Sequence, residues 1–257
     1  MTRYCQYTLF LYLSLTLAGC NQQYKLTDSK SGNKEINNEL STNDYLETII
    51  SPYRAEIALK MNEVINTSLI DMEVGTPEGL LGNFVCDLTY IKAKEISDKH
   101  VDFCLLNNGG LRTPLPKGEI TRGKIFELMP FENEIVIVEL SGENMIYLID
   151  YIKKKSLITN SRKAGVPVSG LRMIINNDKV SEVKIGTFAF DKSKNYRVAT
   201  SDYLSNGGDH MDFFLDPISI EYSGIKLRDA ILKHIIQLDN KKTKLNAVLD
   251  GRIQHAE

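Results

Sequence analysis

Two glycine-rich loops are the strongest structural signal in this chain. Each loop follows an apolar, β-like run and places paired glycines among polar side chains. The first covers residues 107–112 (NNGGLR) and the second covers residues 206–209 (NGGD). Paired glycines accept positive φ angles and bring backbone N–H groups close to a bound group, while an arginine fork matches phosphate or carboxylate oxygens. The two loops therefore predict a binding site for a small phosphorylated molecule.

Two aromatic residues lie close to these loops in the sequence. Phe131 belongs to a Pro-Phe-Glu-Asn segment, and Tyr203 stands three residues before Asn206. Either ring offers a flat face to a nucleobase, since stacking needs only a π-face. Taken alone, the Asn108-Gly109 pair favours a simple hairpin turn. The three segments together, in this order, favour a ligand site instead.

This order of segments resembles the C-terminal, substrate-binding domain of the 5'-nucleotidase family, which includes nucleotidases, UDP-sugar hydrolases and cyclic-nucleotide phosphodiesterases. The resemblance runs from about residue 44 to residue 253. It implies that Asn107 and Arg112 contact ribose and phosphate, that Phe131 and Tyr203 sandwich the base, and that Asp209 accepts a ribose hydroxyl. The substrate-binding residues that it implies are Asn107, Gly109, Gly110, Arg112, Phe131, Asn133, Tyr203, Asn206, Gly207, Gly208 and Asp209.

The chain departs from the family pattern at three positions. Glu78 matches an upstream family segment, but Gly75 and Pro77 stand where arginines usually precede that glutamate. His210 stands where the family usually has a glycine after the aspartate. The resemblance therefore implies one phosphate or ribose contact fewer and an altered rim of the base pocket.

In the family, an N-terminal metallophosphoesterase domain with two metal ions performs the chemistry. The histidines of this chain are scattered without metal-ligand spacing, at His100, His210, His234 and His255. We expect no catalytic residue, metal or cofactor in this chain, and divalent metals only in a separate metallophosphoesterase chain. The chain is thus expected to bind a nucleotide and not to hydrolyse it alone. A membrane-tethered nucleotide-binding protein without a catalytic partner, and a scaffold that has lost its ligand, remain open.

The N-terminus predicts a lipid anchor. Residues 1–19 have a short n-region with Arg3 and an apolar run, and Leu-Ala-Gly-Cys at residues 17–20 resembles a bacterial lipobox. Cleavage before Cys20 and acylation of that cysteine would tether the protein to the bacterial cell envelope, on a periplasmic or surface face. Residues 20–43 are polar and predict a flexible spacer. A net charge of −2 and no basic stripe argue against DNA or RNA as a partner.

Residues 44–257 predict one α+β domain with a mixed β-sheet and packed helices, because the strand runs after residue 168 lack intervening helices. We expect a first helix from residue 44, broken near Pro52 and resumed to about residue 66, with Ile50, Ile57, Met61 and Ile65 in an apolar stripe that packs in the core. The other predicted helices cover residues 80–97, 121–128, a segment that Ser141 caps, and 225–238. The predicted strands cover residues 69–74, 101–107, 135–140, 168–175, 181–186 and 196–202.

Two cysteines remain in the predicted domain. Cys86 falls in an apolar helical segment and Cys104 in a β-like run. In an exported protein they could form a disulfide, or both could be buried free thiols that act as small hydrophobes. The sequence leaves both alternatives open.

Overall fold

The computed structural model describes residues 25–26, 28–37 and 42–256. The predicted signal segment and Cys20 lie outside these residues. The described residues before residue 42 form neither helix nor strand. In the described part of the chain, no helix is long and apolar enough to cross a membrane.

Contacts divide the chain into two units, residues 1–48 and 49–257. Over the described residues, the backbone forms six α-helices and eleven strands. The helices are α1 (Asp44–Met61), α2 (Leu80–Ile96), α3 (Arg122–Leu128), α4 (Gly142–Ser156), α5 (Asp202–Ser205) and α6 (Leu227–Asn240). The strands are β1 (Val64–Ser68), β2 (Phe103–Leu105), β3 (Gly118–Thr121), β4 (Glu134–Leu140), β5 (Val168–Ser169), β6 (Leu171–Asn176), β7 (Lys179–Ile185), β8 (Phe188–Ala189), β9 (Tyr196–Ser201), β10 (Ser219–Lys226) and β11 (Ile253–Ala256).

The central sheet has the order β10-β4-β9-β2-β5 and is mixed. Strands β2 and β9 run parallel, with Phe103 opposite Val198, whereas β4 runs antiparallel to β9, with Ile135 opposite Ser201. The carboxyl ends of β2 and β9 therefore meet the beginning of β4 at one edge of the sheet. The loops at that edge are the three segments that the sequence singled out.

Apolar side chains fill both faces of this sheet. On one face α2 and α6 pack in a core with Leu81, Val85 and Ile231, and on the other α4 packs with Leu148, Ile152 and neighbouring strands. A second sheet has the order β11-β6-β7-β8, and β1 pairs with β3 in a two-stranded sheet. The α+β class with a mixed sheet is thus confirmed.

Local helix signals were largely reliable. Thr121 Oγ1 accepts the backbone N–H of Lys124 at 3.3 Å, and Ser141 Oγ accepts that of Asn144 at 3.2 Å, so both residues cap the helices that follow them. The predicted helices at residues 80–97, 121–128 and 225–238 are confirmed within two residues at either end. The predicted strand at residues 69–74 is wrong, because that segment has only one isolated bridge, at Met72.

The prediction for α1 is wrong on three points. The helix ends at Met61 and not near residue 66, because β1 begins at Val64. The helix is continuous, with Pro52 inside it, and none of its residues is buried. Ile50 is 43% exposed and Ile57 is 56% exposed, so the expected core stripe of this helix lies on the surface. An apolar periodicity indicates which residues share a helix face, but it does not say whether another element covers that face.

Both domain cysteines are free and buried. Cys86 Sγ lies 3.5 Å from the carbonyl oxygen of Cys104. Burial raises the pKa of the Cys86 thiol well above its ordinary value, and the neighbouring Cys104 raises it further. Of the two possibilities that the sequence left open, the structure therefore agrees with buried free thiols and not with a disulfide.

Because the thiolate is the reactive form, we expect Cys86 and Cys104 to resist iodoacetamide in the folded protein and to react fully in denaturant. Mass spectrometry of the two cysteine peptides, with and without guanidinium, measures this difference. Labelling of either cysteine in the folded protein, or a peptide pair joined by a disulfide, would contradict the expectation.

Candidate nucleotide site

The first loop follows β2, and its glycines leave room for side chains. A methyl group at Gly110 would lie 2.9 Å from Asn107 Oδ1, and one at Gly109 would lie 3.2 Å from Asp209 Oδ2. Neither glycine has a positive φ, in contrast to the expectation that they supply left-handed backbone. Their function is close approach, because a Cβ at Gly110 would displace the Asn107 amide.

The second loop follows β9 and brings Asp209 to the first. Asn107 Nδ2 donates to Asp209 Oδ2 at 2.5 Å, and the Tyr203 hydroxyl donates to Asp209 Oδ1 at 3.1 Å. Asp209 itself has a φ of +54°, a left-handed conformation that aspartate tolerates better than most residues. Two residues 102 positions apart in sequence thus share a short hydrogen bond at the sheet edge.

The backbone of Asp209 is also held from α4. The Tyr151 hydroxyl donates to the Asp209 carbonyl at 2.9 Å. Burial raises the pKa of Tyr151, and the negative charge of Asp209 raises it further, so this hydroxyl keeps its proton. The Tyr151 hydroxyl therefore remains a hydrogen-bond donor to the Asp209 carbonyl at neutral pH.

Loops at this sheet edge enclose a cavity of about 200 Å³. The sequence-predicted residues that line it are Asn107, Gly109, Gly110, Arg112, Phe131, Asn133, Tyr203 and Asp209. The structure thus brings together residues from all three predicted segments. Their role in binding stays a prediction.

Both predicted stacking rings are open to the cavity. Phe131 is 41% exposed and Tyr203 is 47% exposed. The guanidinium carbon of Arg112 lies 5.9 Å from the centre of the Phe131 ring, within cation–π range. Its Nη1 donates to the Gly109 carbonyl at 3.4 Å. Arg112 therefore lies beside one ring in the wall of the cavity.

Three predicted site residues do not line the cavity. Asn206 ends α5, and its side chain donates to the Asp202 carbonyl at 2.7 Å. Gly207 has a φ of +81°, and a methyl group at Gly208 would lie 2.5 Å from the Tyr203 ring. These residues shape the turn that presents Tyr203 and Asp209. His210, expected at the pocket rim, is exposed and also does not line the cavity.

Glu78 binds backbone groups of the protein and lies outside the candidate site. Its carboxylate accepts the backbone N–H groups of Asp250, Gly251 and Arg252, each at 3.0 Å, and the side chain of Asn83 at 2.5 Å. Glu78 therefore fastens the segment before β11 to the beginning of α2. It does not line the 200 Å³ cavity.

Sequence reasoning missed Lys163, which lines the cavity from the loop between α4 and β5. The segment around it is polar, without periodicity or glycine pairs, so nothing local marked it. A larger neighbouring cavity, of about 510 Å³, has fewer rings and cations and is lined by Glu73, Val74, Gly75, Thr76, Leu81, Pro114, Thr159, Asn160, Ser161, Arg162 and Ala164. Among the described residues, no group of three or more His, Cys, Asp or Glu side chains has the arrangement of a metal site.

The fold and this cavity define an α+β domain with a candidate ligand site at the ends of its central strands. Residues 61–216 match the family model "5'-nucleotidase, C-terminal domain". The chain therefore belongs to the family of 5'-nucleotidase C-terminal domains.

Individual relatives point to the same family, and a solved structure has the same fold. The chain is 30% identical over 191 residues to the trifunctional nucleotide phosphoesterase protein YfkN of Bacillus subtilis, covering 70% of this chain and 13% of that protein. It is 25% identical over 203 residues to a 5'-nucleotidase of Vibrio parahaemolyticus, covering 77% of this chain and 35% of that protein. The solved 5'-nucleotidase precursor of Thermus thermophilus superposes with a TM-score of 0.68 at 24% identity, covering 82% of this chain and 43% of that one. The chain thus spans only part of these longer relatives.

Proposed function

We propose that this domain is the substrate-recognition half of a split 5'-nucleotidase, in which it binds a nucleotide and a separate metallophosphoesterase chain hydrolyses the phosphate ester. The observation that carries the proposal is one cavity with two exposed rings, an arginine fork and a polar Asn-Asp pair. A nucleobase needs a flat face, a phosphate needs a cation, and ribose hydroxyls need acceptors. The cavity offers each of these in one space.

In this proposal Phe131 and Tyr203 hold the base and Arg112 holds phosphate oxygens. Asn107 and Asp209 hold ribose hydroxyls. Each Asp209 oxygen accepts one hydrogen bond within the protein, from Asn107 or from Tyr203, and keeps a lone pair for a ligand hydroxyl. These contacts fix the position of the ester bond.

The hydrolytic step belongs to the partner chain. Two divalent metals there would activate a water molecule against the phosphorus atom. The relatives' names, which include nucleotide phosphoesterase and 5'-nucleotidase, support nucleotide chemistry for the assembled enzyme. We also propose a lipid anchor at Cys20, which would place nucleotide breakdown at the bacterial cell envelope.

Calorimetric titration of the chain with AMP, adenosine and UDP-glucose tests the binding step. We expect saturable binding of AMP, tighter than that of adenosine, because only AMP has the phosphate that Arg112 can hold. If none of the three ligands binds, the recognition function is refuted.

A mixing experiment tests the partner. A metallophosphoesterase encoded next to this chain, added together with Mn²⁺, is expected to release phosphate from AMP, whereas either chain alone is not. EDTA is expected to abolish the release. Nucleotide binding without phosphate release in any such mixture would favour the alternative, a nucleotide-binding protein without a catalytic partner.

A further inference from the structure

We propose that Lys163 is a second phosphate contact in the nucleotide cavity and that it sets the preference for nucleotides over nucleosides. The proposal rests on the nucleotide-binding function proposed above, which assigns the phosphate to Arg112 alone. Lys163 lines the same cavity as Arg112, but it comes from the loop between α4 and β5. Four lines of geometry support its role.

Both chain neighbours of Lys163 are bonded to the glycine loop after β2, Arg162 through its side chain and Ala164 through its backbone carbonyl. On one side, Arg162 Nη2 donates to the carbonyl of Leu111 at 2.5 Å. On the other side, Asn108 Nδ2 donates to the carbonyl of Ala164 at 2.5 Å. Since Asn108 is only 2% exposed, water does not compete for that bond. The loop is therefore fastened where it carries the lysine.

The lysine stem follows the cavity wall. A methyl group at Gly109 would lie 3.8 Å from Lys163 Cγ, so the stem passes beside the glycine that also faces Asp209. Two further rotatable C–C bonds, Cγ–Cδ and Cδ–Cε, lie between Cγ and the ammonium group. The charge can therefore adjust to a phosphate while its backbone stays fixed.

The charges of the cavity favour an anion. Among the described residues, neither Lys163 nor Arg112 has an ion-pair partner; Arg112 contacts the Phe131 ring and the Gly109 carbonyl. Within the described part of the chain, Asp209 is the one acidic residue in the cavity wall. Two cations and one carboxylate leave the wall with a net formal charge of +1. This charge attracts a phosphate monoester, which is an anion, and not an uncharged nucleoside.

The segment that carries Lys163 also contacts Gly75, where the family resemblance expects an arginine. Gly75 stands in place of an arginine, and its carbonyl accepts from Asn108 Nδ2 at 3.0 Å, the same nitrogen that bonds Ala164. A methyl group at Gly165 would lie 2.5 Å from the Gly75 carbonyl oxygen. The two segments are thus in contact, and the second supplies a positive charge that the first lacks.

The test is calorimetric titration of the Lys163→Met chain with AMP and with adenosine. The methionine keeps most of the stem and removes the charge. We expect the affinity for AMP to fall about tenfold, because the variant loses one charge-assisted hydrogen bond to the phosphate. The affinity for adenosine is expected to stay within about twofold of that of the unaltered chain. Lys163→Arg is expected to keep the preference for AMP.

Lys154→Met is the matched control. It removes the same charge from the neighbouring helix α4, where Lys154 pairs with Asp150 at 2.7 Å, and it is expected to leave both affinities unchanged. An unchanged AMP affinity in Lys163→Met, or an equal loss for AMP and adenosine, would overturn the proposal while nucleotide binding stands. If the unaltered chain binds neither ligand, the proposed function itself fails, and the assignment of Lys163 fails with it.

Discussion

The Phe131→Ala chain is expected to bind AMP about 5- to 150-fold more weakly than the unaltered chain, which corresponds to about 1–3 kcal/mol for one stacked ring. Phe131 is 41% exposed at the cavity, so its removal costs little packing and leaves the fold intact. If the ring stacks on the base as proposed, AMP and adenosine are expected to lose affinity by the same factor. Calorimetric titration with both ligands measures it.

Two further variants make this result specific. Phe131→Tyr keeps a π-face and is expected to stay within about threefold of the unaltered affinity. Phe188→Ala removes a ring that is 76% exposed on β8 and does not line the cavity, so it should have no effect. If Phe131→Ala weakens AMP alone, the ring acts through Arg112, which lies 5.9 Å from its centre, and not through base stacking.

The sequence predicted which residues the fold brings together at this cavity, because its signals are local. Asn107 and Asp209 lie 102 positions apart, yet each follows a β-like run, and residues at the ends of neighbouring parallel strands meet at one edge of a sheet. Three signals placed the candidate site in the loops at this edge of the sheet: the order of the segments, the aromatic residues and the family resemblance. Eight of the eleven predicted residues line one cavity there.

What the sequence could not predict depends on packing between distant segments. Lys163 stands in a polar loop without periodicity, and its position at the cavity depends on contacts with a distant segment, such as the bonds of Arg162 and Ala164 to the glycine loop. The apolar stripe with Ile50 and Ile57 had the correct period but the wrong environment. Periodicity describes one element, whereas burial depends on its neighbours.

The resemblance also identified Glu78 without indicating its function. In the structure its carboxylate accepts three consecutive backbone N–H groups just before β11. Arg252, the last of these residues, carries a buried guanidinium that binds Asp87 on α2. This network joins the C-terminal strand to the helix that packs beneath the sheet, and its value to the fold can be measured.

Replacing Arg252 with methionine is expected to lower the free energy of unfolding by about 2–3 kcal/mol. The Arg252 side chain is 9% exposed, and its guanidinium donates to both Asp87 oxygens at 2.7 Å, to the Val168 carbonyl at 2.8 Å and to Asp250 at 2.8 Å. Truncation leaves the Val168 carbonyl without this donor. The expected loss stays below that of a fully buried pair because Asp87 is 43% exposed and regains water. Urea unfolding followed by circular dichroism measures the change.

The same variant is also expected to change how the free energy of unfolding depends on pH in acid. Burial by itself would raise the pKa of Asp250, but the bonds from Arg252 and Arg172 outweigh it and leave the pKa below its ordinary value of 3.8. A carboxyl with a lowered folded pKa contributes stability above its unfolded pKa and loses that contribution as the pH falls through the folded pKa. When the pH is lowered from 5 to about 3, the free energy of unfolding should therefore fall less in Arg252→Met than in the unaltered chain.

Arg172→Met is the matched control, because Arg172 also binds Asp250, at 2.7 Å, but is 51% exposed. An exposed ion pair contributes about 0.2–1 kcal/mol, so this variant should unfold close to the unaltered chain. If the two variants lose equal stability, burial is not what makes Arg252 important, and the network is a set of surface pairs. If Arg252→Met instead loses its stability and still binds AMP with unaltered affinity at low temperature, the C-terminal strand supports the fold and the cavity depends only on its own loops.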